Sequence, residues 1–292
     1  MSVARTLEPL DPDVVTRLAD LALTEDLAGG TDITTEATIS PDAVATGDLV
    51  ARRPGIVAGL PLARAVFERT LAAAGHGPDA LAAAVVERVV DGTPVQAGDV
   101  LLTVTGPTRA ILTGERSALN LLGQLSGVAT LTAAWVAAVA GTGALIRDTR
   151  KTVPGMRAAQ KYAVRCGGGT NHRKSLADQA LVKDNHVVAA ALRAVRARHP
   201  DTVCEVECDT LEQVVEAVAE GVELVLLDNM ALTTMRAAAR VARAAGCRTE
   251  ASGSLTLDQA REVALVGVDY LAVGALTHSA PVLDIGLDLR EG

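Results

Sequence analysis

Residues 202–252 read TVCEVECDTLEQVVEAVAEGVELVLLDNMALTTMRAAARVARAAGCRTEAS. Short apolar runs (202–207, 223–227, 247–251) alternate here with longer stretches of helical period (211–220, 232–244). Strands that are apolar on consecutive residues, each followed by an amphipathic helix, belong to a parallel sheet covered on its faces. The pattern extends both ways: strand-like runs at 144–148, 180–183 and 269–273, and helical ones at 188–198 and 257–265. Six repeats without a dinucleotide fingerprint favour a closed barrel over an open doubly wound sheet. The nearest candidate, Gly141-Thr-Gly143, precedes a strand instead of following one.

Upstream the order is different. Asp11 caps a helix with Pro12 at its first position and apolar Val14, Val15, Leu18 and Leu21. Strand-like runs follow at 47–52 and 56–59, a helix at 62–74, and strands at 84–90 and 100–105, with Asp91-Gly92 and Ala97-Gly98-Asp99 as turns. This reads as an α+β layer of mixed order. From Ser117 to Ile146 the chain carries no charge over 30 residues, long enough to span a bilayer. Its Asn120, Gln124, Ser126, threonines and small residues favour a buried helix or two, bridging into the second domain.

Composition narrows function. Of 292 residues 49% are apolar, 1% aromatic, and the net charge is −8. A general nucleic-acid binder needs a broad basic face and stacking platforms, and neither is present. Met1–Asp11 has no signal-peptide core, and four cysteines without a Cys-x-x-Cys pair read as reduced core thiols of a cytoplasmic protein.

The charge is unevenly placed. Residues 147–186 hold nine Lys/Arg against three Asp, a local +6 that leaves −14 elsewhere. All four lysines (Lys151, Lys161, Lys174, Lys183) fall here, beside 23 arginines in the whole chain. A coding bias explains few lysines but not their grouping; at least two of them touching a polyanionic small molecule explains it better than a solvated helix face.

Each strand ends in polar chemistry: Asp148-Thr-Arg150-Lys151, Lys183-Asp184-Asn185-His186, Glu207-Cys-Asp209, Asp228-Asn229, Ser252-Gly253-Ser254, and Gly274 with His278. In parallel α/β barrels that end builds the active site, and loops after the last strands hold phosphate. Early strands supply cations (Arg150, Lys151, His172, Arg173, Lys183), middle strands carboxylates (Glu207, Asp228), and late strands small donor-rich loops. The matching ligand carries carboxylates or phosphates near the cations, and a divalent metal or developing cation near the acids. No His/Cys set has zinc spacing; His76 and His199 read as surface residues, and His186 as a site residue or a cap.

The block DTRKTVPGMRAAQKYAVRCGGGTNHRKSLADQALVKDNH (148–186) resembles the signature of quinolinate phosphoribosyltransferases. Collinear blocks agree: EDLAGGTDIT from Glu25, GERSALNLLGQLSGVAT from Gly114, EVECDTLEQ from Glu205, LLDNM from Leu226, EASGS from Glu250 and VDYLAVGALTHSAPVLDIGL from Val268. Together they reach from about residue 20 to 288.

The resemblance implies an N-terminal α/β sandwich (1–116, with the tail 280–292 packed on it) and an incomplete parallel α/β barrel (117–279), the type II phosphoribosyltransferase architecture, working as a homodimer. It implies Mg²⁺-dependent transfer from 5-phosphoribosyl-1-pyrophosphate to quinolinate. Arg116, Thr149, Arg150, Lys151, His172, Arg173 and Lys183 would hold the carboxylates and neighbouring phosphates, Arg116 reaching in from the partner subunit or the domain boundary. Glu207 and Asp228 would serve the ribose and the metal; with Lys151 they form the implied catalytic set. Ser252, Gly253, Ser254, Gly274 and His278 would cradle the 5′-phosphate. Ser175 and Ser254 stand where the family has glycines, so a positive φ at Ser254 would be strained. Two rivals remain: a related enzyme with another acceptor, and a non-catalytic sensor of phosphate ligands.

Overall fold

The computed structural model describes residues 7–183 and 188–291. Along the chain run α1 (Pro12–Leu27), α2 (Ile33–Thr38), β1 (Val44–Ala51), β2 (Gly55–Ile56), α3 (Leu60–Ala73), α4 (Pro78–Ala84) and β3 (Val85–Glu87). Next come β4 (Pro94–Val95), β5 (Val100–Pro107), α5 (Thr108–Ala138), β6 (Leu145–Arg147), α6 (Arg157–Cys166), β7 (Ala180–Val182), α7 (Val188–Arg198) and β8 (Cys204–Cys208). The rest is α8 (Leu211–Ala219), β9 (Leu224–Asp228), α9 (Leu232–Ala244), β10 (Arg248–Ser252), α10 (Ala260–Ala264), β11 (Tyr270–Ala272), α11 (Ala275–His278) and β12 (Ile285–Glu291).

Two compact units result: residues 1–131, 154–168 and 280–292, and residues 132–153 with 169–279. The division expected at residue 116 does not fall there, because α5 runs through that position without a break. α5 is long and apolar enough to cross a membrane by length and composition, yet more than half of its most apolar stretch is buried in the protein. Ser117, Ser126 and Thr132 are buried along with its leucines.

In the first unit, where helices and strands follow one another in mixed order as expected, four strands pair antiparallel in the order β12-β1-β5-β3. The tail strand β12 lies against β1 from Ala45↔Glu291 to Ala51↔Ile285. Asp11 caps α1, accepting from the Asp13 N–H at 2.9 Å. The Asp91-Gly92 turn also serves a helix: Asp91 accepts the N–H groups of Gly59 and Leu60 at 3.0 and 3.1 Å, satisfying the open end of α3. That helix buries Leu62, Ala63, Val66 and Phe67 completely. Burial of each larger side chain stabilises by roughly 1.5–3 kcal/mol. The strand read at 56–59 is only two residues long, because the chain turns at Gly59 to enter α3.

The second unit holds six parallel strands in the order β6-β11-β10-β9-β8-β7. Val206, Val225, Leu227, Ala251 and Leu271 are fully buried in this sheet. Among the described residues β6 and β7 do not pair, so the closed barrel read from six repeats is open at this seam. The reason lies in the connection: between β6 and β7 the chain leaves for the first unit, where residues 154–168, including α6, belong. A single parallel bridge, Arg147↔Thr170, is formed on the β6 side.

Candidate active site

Side chains two residues apart on a strand share a face. Glu205 and Glu207 therefore stand together on β8, and Glu250 and Ser252 on β10, one layer below and one at the strand's exit. The exits of neighbouring strands gather most of the expected residues in the second unit.

At the β6 and β11 exits, Lys151 and His278 meet over Gly274. A Cβ on Gly274 would lie 3.1 Å from Lys151 Cδ and 3.1 Å from His278 Nε2. The Thr277 hydroxyl donates to the Lys151 carbonyl at 2.8 Å, and the Thr149 hydroxyl accepts the Lys151 N–H at 3.0 Å. Gly274 has φ −64°, so space and not backbone conformation demands glycine there.

Arg173 lies close enough to Arg150 for the two charges to repel. Burial first, then the Arg150 charge, pushes the Arg173 guanidinium down from its usual range. Its Nη1 donates to the Gln179 carbonyl at 3.0 Å, while its buried Nε has no acceptor. Two crowded guanidiniums with a buried, unanswered N–H form a place for an anion. On the following loop, Ser175 takes an ordinary backbone conformation, so the missing glycine costs nothing there. Its N–H and hydroxyl donate to Asp178 at 2.8 and 3.0 Å. Burial pushes the Asp178 carboxyl up, but these donors and the Lys174 N–H outweigh it and bring it down to about 2.

Lys183, at the β7 exit, reaches both Glu207 oxygens at 2.8 and 3.0 Å. With the lysine side chain 53% exposed, that pair contributes little stability and can yield to a ligand. Asp228 ends β9 and accepts from Asn229 Nδ2 at 2.7 Å. Glu207 and Asp228 are half-buried oxygen donors on adjacent strands, a donor set that suits a hard divalent cation sharing phosphate and water ligands.

The β10 exit supplies the phosphate-type loop. Gly253 has φ +93°, and a Cβ there would lie 2.8 Å from the Asn229 backbone nitrogen and closer still to its side-chain amide. Ser254 has φ +42°, the left-handed conformation that a glycine would take without strain. A cavity of about 240 Å³ opens beside this loop, lined by Asn229, Ser252, Gly253, Ser254, Gln259 and Met235 among others. The helix after β11 is a single turn, and after β10 a 3-10 turn at Leu257–Gln259 leads into the five-residue α10, so individual N–H groups carry more of a phosphate contact here than a helix dipole does.

Sequence reasoning missed the layer beneath. His172, 9% exposed, places Nε2 2.7 Å from Glu205 Oε2 and 3.7 Å from Glu250 Oε1. Arg147 Nη1 meets Glu250 Oε2 at 2.7 Å, and Gln179 Nε2 donates to Glu205 Oε2 at 2.9 Å. Burial, and after it the Glu205 charge, pushes the Glu250 carboxyl up to about 7. The ligand atoms of His172, Glu205 and Glu250 lie within 4.8 Å of one another, but Arg147 and Gln179 already answer one oxygen of each acid. An imidazole with cations alongside makes this a hydrogen-bonded ionic network and a poorer seat for Mg²⁺ than Glu207 and Asp228. The signal was present: each acid sits two residues before an exit residue, hence on its face.

Arg116 is carried by the first unit, on α5, with its side chain 65% exposed and Glu115 at 3.9 Å. His186, with Asp184 and Asn185, lies outside the described residues. His199 is exposed, whereas His76 is half-buried. All four cysteines are free and buried, and burial pushes each thiol up, Cys166 and Cys208 to about 12.

The families "Quinolinate phosphoribosyl transferase, N-terminal domain" and "C-terminal domain" match residues 32–126 and 128–288. The chain belongs to the quinolinate phosphoribosyltransferase family. It is 52% identical over 275 residues to the carboxylating nicotinate-nucleotide pyrophosphorylase of Mycobacterium leprae, covering 92% of this chain and 94% of that one. The human protein of the same name is 36% identical over 291 residues, covering 96% and 93%. Among solved structures, the nicotinate-nucleotide pyrophosphorylase of Francisella tularensis superposes with a TM-score of 0.89 at 33% identity, covering 97% and 99%. As a quinolinate phosphoribosyltransferase family member, the chain thus has both domains and the open parallel sheet with its charged exits.

Proposed function

We infer that this chain joins quinolinate to 5-phosphoribosyl-1-pyrophosphate, releasing pyrophosphate and CO₂ and giving nicotinate mononucleotide for NAD biosynthesis. The observation that carries the reading is the cation set Arg150, Lys151, His172 and Arg173, with the buried Arg173 N–H unanswered, in the unit that also holds Glu207 and Asp228. A dianionic acceptor answers that set; a sensor without turnover would have no use for the two acids.

The reaction needs charge placed at fixed points. The pyridine nitrogen lone pair forms the bond to the anomeric carbon, while the carbon–oxygen pair leaves with pyrophosphate. Glu207 and Asp228 ease the positive charge on the ribose, and Lys151 receives negative charge on the leaving group. Mg²⁺, held by Glu207 and Asp228, would supply further neutralisation of the pyrophosphate. Arg150, Arg173 and His172 fix the two carboxylates, so that positioning supplies much of the rate. Once alkylated, the ring nitrogen is cationic and stabilises the electron pair left when the adjacent carboxylate departs as CO₂; that pair then takes up a proton from water, giving the C–H bond of the product. Ser252, Gly253, Ser254, Gly274 and His278 face the 5′-phosphate. A cytoplasmic homodimer in which Arg116 completes the partner's site accords with its exposure on the other unit.

The test is a product assay of the purified protein with Mg²⁺ and 5-phosphoribosyl-1-pyrophosphate, quinolinate and nicotinate side by side. Quinolinate is turned over to nicotinate mononucleotide and nicotinate hardly at all. Equal consumption of the two acids would reject the specificity.

A further inference from the structure

Beneath the rim, two acids and one cation stand behind a single imidazole. Glu205 comes from β8, Glu250 from β10 and Arg147 from β6, strands that are not all neighbours; β9 separates the two acids and β11 separates Glu250 from Arg147. Both glutamates are essentially fully buried, 0% and 1% exposed. Each keeps one buried oxygen, Oε1, with no hydrogen-bond partner, an expensive arrangement that a purely structural core would replace with apolar side chains.

The geometry gives the acids a use. His172 is held at both ends: its backbone N–H donates to Asp148 Oδ1 at 2.9 Å, and its ring contacts Glu205 at 2.7 Å through Nε2. Arg147 lies over the Tyr270 ring, 3.6 Å from the centroid, and is thereby fixed against Glu250. With Nε2 committed to the acids, Nδ1 is the ring nitrogen through which a substrate carboxylate would be held. An imidazole that binds a carboxylate through Nδ1 must carry hydrogen on both nitrogens, and a charged ring only 7% exposed needs negative charge behind it. Among the described residues, the groups facing it include Glu205, Glu250 and Asp148, with Arg147 held against Glu250 and Arg173 next along the chain.

We propose that Glu205 and Glu250 are positioning residues for the acceptor, holding the His172 ring through Nε2 in the orientation and charge state that receives a pyridine carboxylate. The proposal rests on the reading of His172 as a quinolinate contact. It adds that specificity for a dicarboxylate is set partly by two acids that never touch the substrate. Gln179 belongs to the same device, since its amide donates to the oxygen that faces the ring.

The experiment is a mutant cycle in the full-length protein, with quinolinate and 5-phosphoribosyl-1-pyrophosphate varied separately. Glu205→Gln keeps shape and removes charge; it raises the quinolinate KM about tenfold while the other KM stays within about twofold. In a His172→Ala background the same substitution changes the quinolinate KM less than about twofold, because the residue through which it acts is gone. A core defect would act equally in both backgrounds, and that result overturns the proposal. If His172→Ala leaves the quinolinate KM unchanged, the reading of His172 as a contact fails instead. Should Glu205→Gln not fold, Gln179→Ala carries the cycle, with an expected rise of about threefold that again vanishes without His172. An unchanged KM in folded Gln179→Ala and Glu205→Gln alike overturns the proposal.

Discussion

Replacing Gly253 with alanine perturbs the site at one identifiable point. The residue has φ +93°, which by itself costs an L-residue about 1–2 kcal/mol. The added Cβ also meets the Asn229 side chain and stands 2.8 Å from the Asn229 backbone nitrogen. The amide can swing aside; the backbone cannot, since Asn229 N–H is bonded to the Ser252 carbonyl at 3.1 Å. Overpacking of this kind adds about 1–3 kcal/mol. The stiffer unfolded chain returns about 0.4–1 kcal/mol. The net loss is therefore about 1–4.6 kcal/mol, centred near 3. Gly246→Ala is the control: φ is +74° there, with no atom within 4 Å of the new carbon, so only about 1 kcal/mol is lost. Thermal unfolding distinguishes the two, at roughly 2–4 °C per kcal/mol for a unit of this size. Function moves with stability at Gly253 alone, because displacing Asn229 removes its hydrogen bond to Asp228 and raises the KM for 5-phosphoribosyl-1-pyrophosphate. Equal midpoints for the two variants would refute the steric part of this reasoning, and an unchanged KM its link to Asp228.

The neighbouring Ser254→Gly relieves a φ of +42° and is neutral or stabilising by up to about 1 kcal/mol in the same unfolding assay; a clear loss of stability contradicts the strain. Lys151→Ala and Arg173→Ala each lower turnover at least about a hundredfold with folding preserved, measured by steady-state rates and unfolding; near-normal rates in both remove the clamp. For Glu250 the folded carboxyl titrates near 7 and the unfolded one near 4.5, so the unfolded chain releases its proton first. Its stabilising contribution is full below pH 4.5 and is lost as pH rises to about 7, a few kcal/mol in all. Glu250→Gln flattens that slope; parallel stability curves for variant and parent between pH 5 and 7 would contradict the assignment.

Much of this was legible in the chain because the signals are local. The Asp11 cap of α1, the strand–helix alternation from β8 to β11 and the turns at Gly92 and Gly98 depend on residues a few positions apart. The exit residues were legible for a similar reason: once a strand ends, the next side chains must lie at its mouth. The acids at 205 and 250 were read past, though they obey the same two-residue period, because a glutamate inside an apolar strand gives no sign of what answers its charge.

Sequence by itself determined which segments become strands and helices, and that cations come early and acids in the middle, since periodicity and capping act over one or two turns. Only the tertiary structure decided which charges meet. Arg147 finds Glu250 across 103 positions and His172 finds Glu205 across 33, and both follow from the strand order β6-β11-β10-β9-β8-β7. It also opened the barrel at β6 and β7, where α6 is spent on the other unit. Coulomb partners and seams are properties of spatial neighbourhood, and neighbourhood is set by the packing of the whole chain.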